Sequence, residues 1–304
     1  MAWEFDRVAG PYRGSIDGVV WDGQAVLFSV PDESRIYRYD PAGAVTVFRA
    51  YTSRTAGLAF DPEGTLYGCQ TGSRRIARFN RDGSTTPMEY RLDSRFHNYP
   101  DDLTIDRQGR IWFSDPYNRT PSRGPQLQGP LDHASVLRLE RRPDRSWLLR
   151  RMTFDTREPK GVLLSLDQHT LFVAESWNAQ LEGKRELRAY SIRDDDTLGP
   201  CVVLHTFGAD HRGPHRGIDG MCLDAEGNIV ACAGGGQSGP GPIMYVFSPL
   251  SGVIEAHGAP TDRPRNCAFG DADLATLYVG SDGGCLYRVR DTGRRGSAAS
   301  SPRP

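Results

Sequence analysis

Six residues stand at equivalent points of a pattern that recurs along this chain: Asp17, Ala56, Asp101, Lys160, Asp219 and Asn266. Each opens a short apolar run, and each run leads through an Asp- or Gly-rich turn into a second one. Three acids, an ammonium and an amide form a chemically capable set. Carboxylates can take a proton or hold a cation, and an ammonium can stabilise developing negative charge. Turn duty explains part of the pattern, because Asp and Asn at strand starts bond their own backbone. That account suits Asp17-Gly18 and Asp219-Gly220 but leaves Lys160 unexplained.

Other chemistry-bearing residues fit structural duties better. Asp61, Asp106, Asp115 and Asp224 fall in turns. Glu175, after Leu-Phe-Val-Ala, could approach the same region from a neighbouring strand. His97, just before Asn98-Tyr99-Pro100-Asp101, and His211 and His215, in a Gly/Pro-rich loop before Asp219, are candidate proton shuttles. The run from Gly234 resembles a phosphate loop only in composition, since no helix pattern follows it. No Gly-x-Ser-x-Gly elbow, His-Glu-x-x-His or Cys-x-x-Cys occurs.

The elements that must position the six residues are strands. Helical periodicity is scarce, whereas β-branched and aromatic runs bounded by Gly, Pro, Asp or Asn recur from end to end. Behind each segment comes a second hairpin, as in Ile36-Tyr-Arg-Tyr-Asp-Pro-Ala-Gly-Ala-Val-Thr-Val-Phe. Four strands per unit and six units predict an all-β fold, a six-bladed β-propeller with four-stranded blades. Its innermost strands would line an axial channel, bringing the six openings to one mouth. The last unit runs one strand short, and Trp3–Val8 is expected to supply it and close the ring. One propeller domain over 1–291 is expected, with a polar, Pro-rich loop or lid at 116–130 and a low-complexity, disordered tail at 292–304.

Composition excludes several classes. The chain has 304 residues, with 37 Lys and Arg against 38 Asp and Glu for a formal charge of -1. A nucleic-acid or anionic-membrane partner calls for a basic surplus that is missing. No apolar run has the roughly 18 residues of a spanning helix, and the acidic N-terminus lacks the apolar core of a secretion signal. Six scattered cysteines read as reduced core residues, so the expected location is cytoplasmic.

The stretches Asn98–Pro116, Pro159–Ala174, Ile218–Ile229 and Asn266–Val279 resemble the gluconolactonase, senescence marker protein (regucalcin) and luciferin-regenerating enzyme family over nearly the whole chain. The resemblance implies a six-bladed propeller, commonly a lactonase, holding a divalent cation such as Ca2+ or Zn2+ in the channel. It implies metal positions at Asp17, where the family has Glu, at Lys160, where it has Asn, and at Asp219, which is unchanged. Asp101 replaces a family Asn that contacts water, metal or substrate. An ammonium at Lys160 offers no oxygen to a cation. Asp17, Asp101 and Asp219 ionised against protonated Lys160 leave two negative charges. Either Lys160 is the internal cation and no metal is needed, or it swings aside for a divalent ion held by Asp17 and Asp219.

The expectation is therefore a hydrolase opening a small, oxygen-rich lactone. Asp219 would be the general base, with Lys160 or a bound cation stabilising the oxyanion, and Asp101, Asn266 and Asn98 contacting substrate. A lyase or isomerase acting on a similar small molecule without a metal, and a non-catalytic ligand-binding propeller, remain the alternatives.

Overall fold

The structure, a computed structural model, describes residues 2–89, 91–117, 129–178 and 182–297. Its strands form six four-stranded antiparallel sheets, arranged as the blades of a propeller. The inner strands, in blade order, are Val19–Trp21, Thr55–Phe60, Leu103–Ile105, Pro159–Leu164, Ile218–Leu223 and Pro264–Gly270. Each pairs with the next strand outward through a turn anchored by an Asp or Ser, as where Asp61 Oδ1 accepts the Glu63 and Thr65 amides.

The sheets stack through alternation. Successive side chains of a strand point to opposite faces, so each second strand feeds two interfaces. In Thr170–Ser176, Leu171 and Val173 pack with Trp112 and Val136 of blade 3, while Phe172 and Ala174 pack with Ile218 and Met221 of blade 5. Six apolar clusters result, one between each pair of adjacent blades. Strands covered on both faces read as continuous apolar runs, and all of Val26–Val30 is buried.

Blade 6 takes its outer strand from the other end of the chain. Asp6–Ala9 pairs antiparallel with Leu286–Val289, closing the ring as the strand count requires. The closing strand starts later than Trp3, which is buried and stacks its ring on His257 at 4.1 Å.

One expectation about the peripheral segments changes, and another falls mostly on residues that are not described. Most of the 116–130 loop lies outside the described residues. The tail expected to be disordered from 292 is ordered through Ser297, with 298–304 outside the described residues. Gly296 bridges Asp224 and donates its amide to Leu274 at 2.8 Å. Arg294 pairs with both Asp224 and Glu255. The composition of the tail is that of a linker, but one arginine with two buried or half-buried acids outweighs it.

Candidate functional site

Strand register defines the ring of residues at the channel mouth. Val19, Leu58, Leu103, Val162, Met221 and Cys267 are equivalent in their ladders, facing Phe28, Gly68, Phe113, Val173, Ala231 and Val279. Two residues earlier stand Asp17, Ala56, Asp101, Lys160, Asp219 and Arg265. One residue earlier stand Gly18, Gly57, Asp102, Gly161, Gly220 and Asn266. The sixth position of the outer ring is therefore Arg265, and the expectation for Asn266 is corrected by one residue.

The displacement has a local cause. The ladder of blade 6 runs one pair further, to Gly270 and Thr276, whereas that of blade 5 ends at Leu223 and Ile229, so the blade 6 turn starts one residue further from the ring. Counting back from its Asp271 lands one residue late. A bulge just after the strand start, between Ile218 and Met221 in blade 5 and between Pro264 and Asn266 in blade 6, re-aims the ring side chain. The crowding admits no side chain one residue inward in four blades. A Cβ on Gly161 would lie 2.7 Å from the Asp219 carbonyl, and one on Gly220 would lie 2.7 Å from Asn266 Cγ.

Acids and bases of the outer ring interlock. Arg265 Nε donates to Asp17 Oδ1 at 2.8 Å, and its Nη1 is 3.5 Å from Asp219 Oδ2. That same carboxylate oxygen receives Arg216, from the preceding loop, through Nε at 3.2 Å and through Nη2. Lys160 Nζ is 3.4 Å from Asp101 Oδ2. Three carboxylates, Asp17, Asp101 and Asp219, meet three cations, Arg265, Arg216 and Lys160, so these six charges balance, with Asp282 at the edge, 4.0 Å from Arg265 Nε. Burial alone would raise the Asp219 carboxyl, but Arg216, Arg265 and Lys160 outweigh it and hold it at about 2. Burial likewise opposes the Arg265 charge, and Asp17, Asp219 and Asp101 more than compensate, holding the guanidinium well above its ordinary value.

Beneath this ring lies Asp102, 8% exposed. Its Oδ2 accepts the Val162 amide at 3.3 Å. Burial, reinforced by the charge of Asp101, pushes the carboxyl up to about 7 against hydrogen bonds from Val162, Leu103 and Asn266. Asp102 borders two spaces. Above is a cleft of about 20 Å³ shared with Asp17, Asp101, Asp219, Arg265 and Asn266. Below is a largely apolar section of the channel of about 270 Å³. The signal for Asp102 was the Asp101-Asp102 doublet where four other blades have glycine.

The structure brings Asp17, Asp101, Lys160 and Asp219 together at one mouth and excludes other candidates from it. Asn98 is fully buried with its amide committed to backbone: Nδ2 donates to Asp115 and His133 carbonyls, each at 3.1 Å, and Oδ1 accepts the Leu131 amide at 2.7 Å. The expected substrate contact at Asn98 is thus corrected to a brace on the 131–133 segment. Asn266 spends its Oδ1 on the Cys267 amide at 2.8 Å and turns to Asp102. Glu175 accepts the Arg157 and Glu158 amides at 2.9 and 2.8 Å and pairs with Arg188. His97 is buried against Phe113.

The residues do not fit a divalent ion. Asp17 and Asp219 are turned to guanidinium groups, the third family position is an ammonium, and no trio of His, Cys, Asp or Glu among the described residues could hold a metal. Calcium calls for six to eight oxygen ligands. The expected cation at Asp17 and Asp219 is accordingly not supported by this donor set.

This ring at the mouth of a six-bladed propeller defines a class. Residues 15–283 match the family described as SMP-30/Gluconolactonase/LRE-like region. The chain belongs to that family. A gluconolactonase of Zymomonas mobilis is 26% identical over 298 residues, covering 90% of this chain and 78% of that protein. Regucalcin of Xenopus laevis is 31% identical over 156 residues, covering 46% and 48%. Among solved structures, a gluconolactonase from Xanthomonas campestris superposes with a TM-score of 0.78 at 27% identity, covering 95% of this chain and 89% of its own. The calcium-binding regucalcin of Agrobacterium tumefaciens reaches 0.75 at 14% identity, covering 99% and 98%, and shares the fold. No helix among the described residues is long and apolar enough to cross a membrane.

Proposed function

We propose that the protein is a hydrolase that opens a small, oxygen-rich lactone at the Asp17, Asp101, Lys160 and Asp219 mouth of the channel. Kinship to gluconolactonases supports the reaction class. The observation that carries the reading is the pairing of fixed cations with a raised carboxyl one residue beneath them. Hydrolysis needs an electrophile for the carbonyl oxygen and a base for water. Lys160 and Arg265 supply the first, held in place by carboxylates before substrate arrives.

Asp102 suits the second. A base works best when its pKa lies near the working pH, and Asp102 at about 7 meets that condition. Asp219, the base expected from the sequence, is held at about 2 by its arginines and is a poor proton acceptor. Its part is to orient Arg216 and Arg265. In this reading Asp102 takes a proton from water as the water attacks the carbonyl carbon. The C–O ring bond then breaks, and Asp102 returns the proton to the leaving alkoxide. Asp101 orients substrate hydroxyls, and Asn266 positions Asp102. The substrate is a small molecule, and the near-neutral charge gives a polyanion no purchase.

Turnover of a panel of sugar-acid and aliphatic lactones tests the proposal. Asp102→Asn is expected to lower kcat about 10²–10⁴-fold, and wild-type kcat/KM should rise with pH around a midpoint near 7. A panel with no hydrolysed member, or an Asp102→Asn variant with unimpaired kcat, would sink it.

A further inference from the structure

We infer that the cation of this channel belongs to the chain itself: Arg265, with Lys160 two blades away, engages the acids that the family resemblance would assign to a divalent ion, and excludes one. The inference concerns binding and holds whatever the substrate.

Three independent features support it. The first is geometry. Asp17 and Asp219 come from opposite sides of blade 6 and converge on one guanidinium, Asp17 at 2.8 Å from Nε and Asp219 at 3.5 Å from Nη1. Guanidinium is planar, permanently charged and matched to carboxylates, so two acids can share it. The Asp219 oxygen nearest Arg265 also receives Arg216. Coordination would require these acids to give up donors already in place.

The second is charge. A divalent ion is drawn into a site by excess negative charge, and three acids against Lys160 alone would provide it. Arg265 and Arg216 remove that excess. An incoming ion would have to expel a guanidinium whose side chain is only 19% exposed, or sit beside three fixed positive charges.

The third is space. The cleft between Asp17, Asp101, Asp219 and Arg265 measures about 20 Å³, room for about one water and none for the several water ligands a divalent ion would need beside so few free protein oxygens. The neighbouring blade is shaped around the arginine strand, because a Cβ on Gly220 would lie 2.8 Å from the Arg265 carbonyl. The amide oxygen that could have completed a coordination sphere is replaced at Lys160, whose ammonium has only donors.

Metal binding to the intact protein tests this without reference to activity. Wild-type protein dialysed without chelator is analysed for metal content, then titrated calorimetrically with Ca2+, Mn2+ and Zn2+. The expected results are no stoichiometric metal, no saturable binding in the channel and a Tm unmoved by Ca2+ or EDTA. The Lys160→Asn/Arg265→Ser double variant removes two of the three built-in cations, leaves Arg216 on Asp219, and adds an amide oxygen. It is expected to gain one Ca2+ per chain, with Tm rising by about 4 °C in Ca2+ at about 100 times its Kd. One tightly held divalent ion per wild-type chain, lost in Asp219→Asn, overturns the inference whether or not the double variant folds. A folded double variant that still takes no ion also overturns it, because Arg265 and Lys160 would then not be what keeps metal out. Failure of lactone turnover would leave these isotherms unchanged, so the two readings fail separately.

Discussion

Replacing Arg265 by methionine keeps the bulk of the side chain and removes its charge. Two mostly buried carboxylates lose a partner: Asp17 with 16% and Asp219 with 7% of the side chain exposed. Removing one member of a buried pair costs about 3–5 kcal/mol. Asp219 keeps Arg216, which argues for the low end. A second route agrees. Asp219 is displaced from 3.8 to about 2, worth about 2.5 kcal/mol of stability shared among three cations. If Arg265 accounts for about 1 kcal/mol of that and Asp17 adds about 2, the total is about 3 kcal/mol. An unfolding entropy of about 2.1 cal/mol/K per residue turns this into a Tm fall of about 5 °C. The pH dependence has a definite sign. A carboxylate whose folded pKa is depressed contributes its stability above the unfolded value and loses it as pH falls through the folded one. In the variant Asp219 protonates more readily, so the deficit should hold from neutral pH to about 4 and shrink as pH falls on through about 2. Melts followed by circular dichroism across that range are the assay. A deficit under about 1 °C at neutral pH, or one undiminished in acid, would refute the ion-pair account of this ring.

Asp102→Asn should behave in the opposite way, because its folded pKa is raised to about 7. Wild type loses stability as pH rises from about 4 through about 7, and the neutral amide does not, so melts should show the variant gaining on wild type over that interval. Arg294→Ala strips the cation from fully buried Asp224 and should cost about 3 kcal/mol, with faster tryptic cleavage after Arg295 and unchanged kcat, since the tail borders the apolar section of the channel. Asn98→Ala removes three hydrogen bonds to backbone and should cost about 2–3 kcal/mol in denaturant melts with KM unchanged; a raised KM at full stability would return Asn98 to the substrate.

Much of the fold was legible because a propeller blade cannot bury its faces alone and so repeats its pattern. The apolar runs and Asp/Gly turns gave the six blades, the missing strand of blade 6 and the outer ring positions Asp17, Asp101, Lys160 and Asp219. The rest turned on local detail. Arg265 was hidden by an inner ladder one pair longer in blade 6, which moves the count by one. Asp102 was legible as a doublet, but its significance depends on burial, which one sequence does not display. Arg216 comes from a loop, where no periodicity points inward. Asn98 drew attention by sitting near Asp101, yet its amide serves the backbone behind the blade. The tail looked unstructured because its order rests on Arg294 and on a few backbone hydrogen bonds to distant residues.

The pairing of Asp6–Ala9 with Leu286–Val289 sets an order on assembly. On the ribosome Asp6–Ala9 has no mate until Leu286–Val289 has been made, so five blades can form while the circle stays open. Bulky fusions at the amino terminus would burden the latch itself. Opening the chain in a loop between blades, with Asp6–Ala9 linked directly after Leu286–Val289, would give a latch-free sixth blade and should speed refolding.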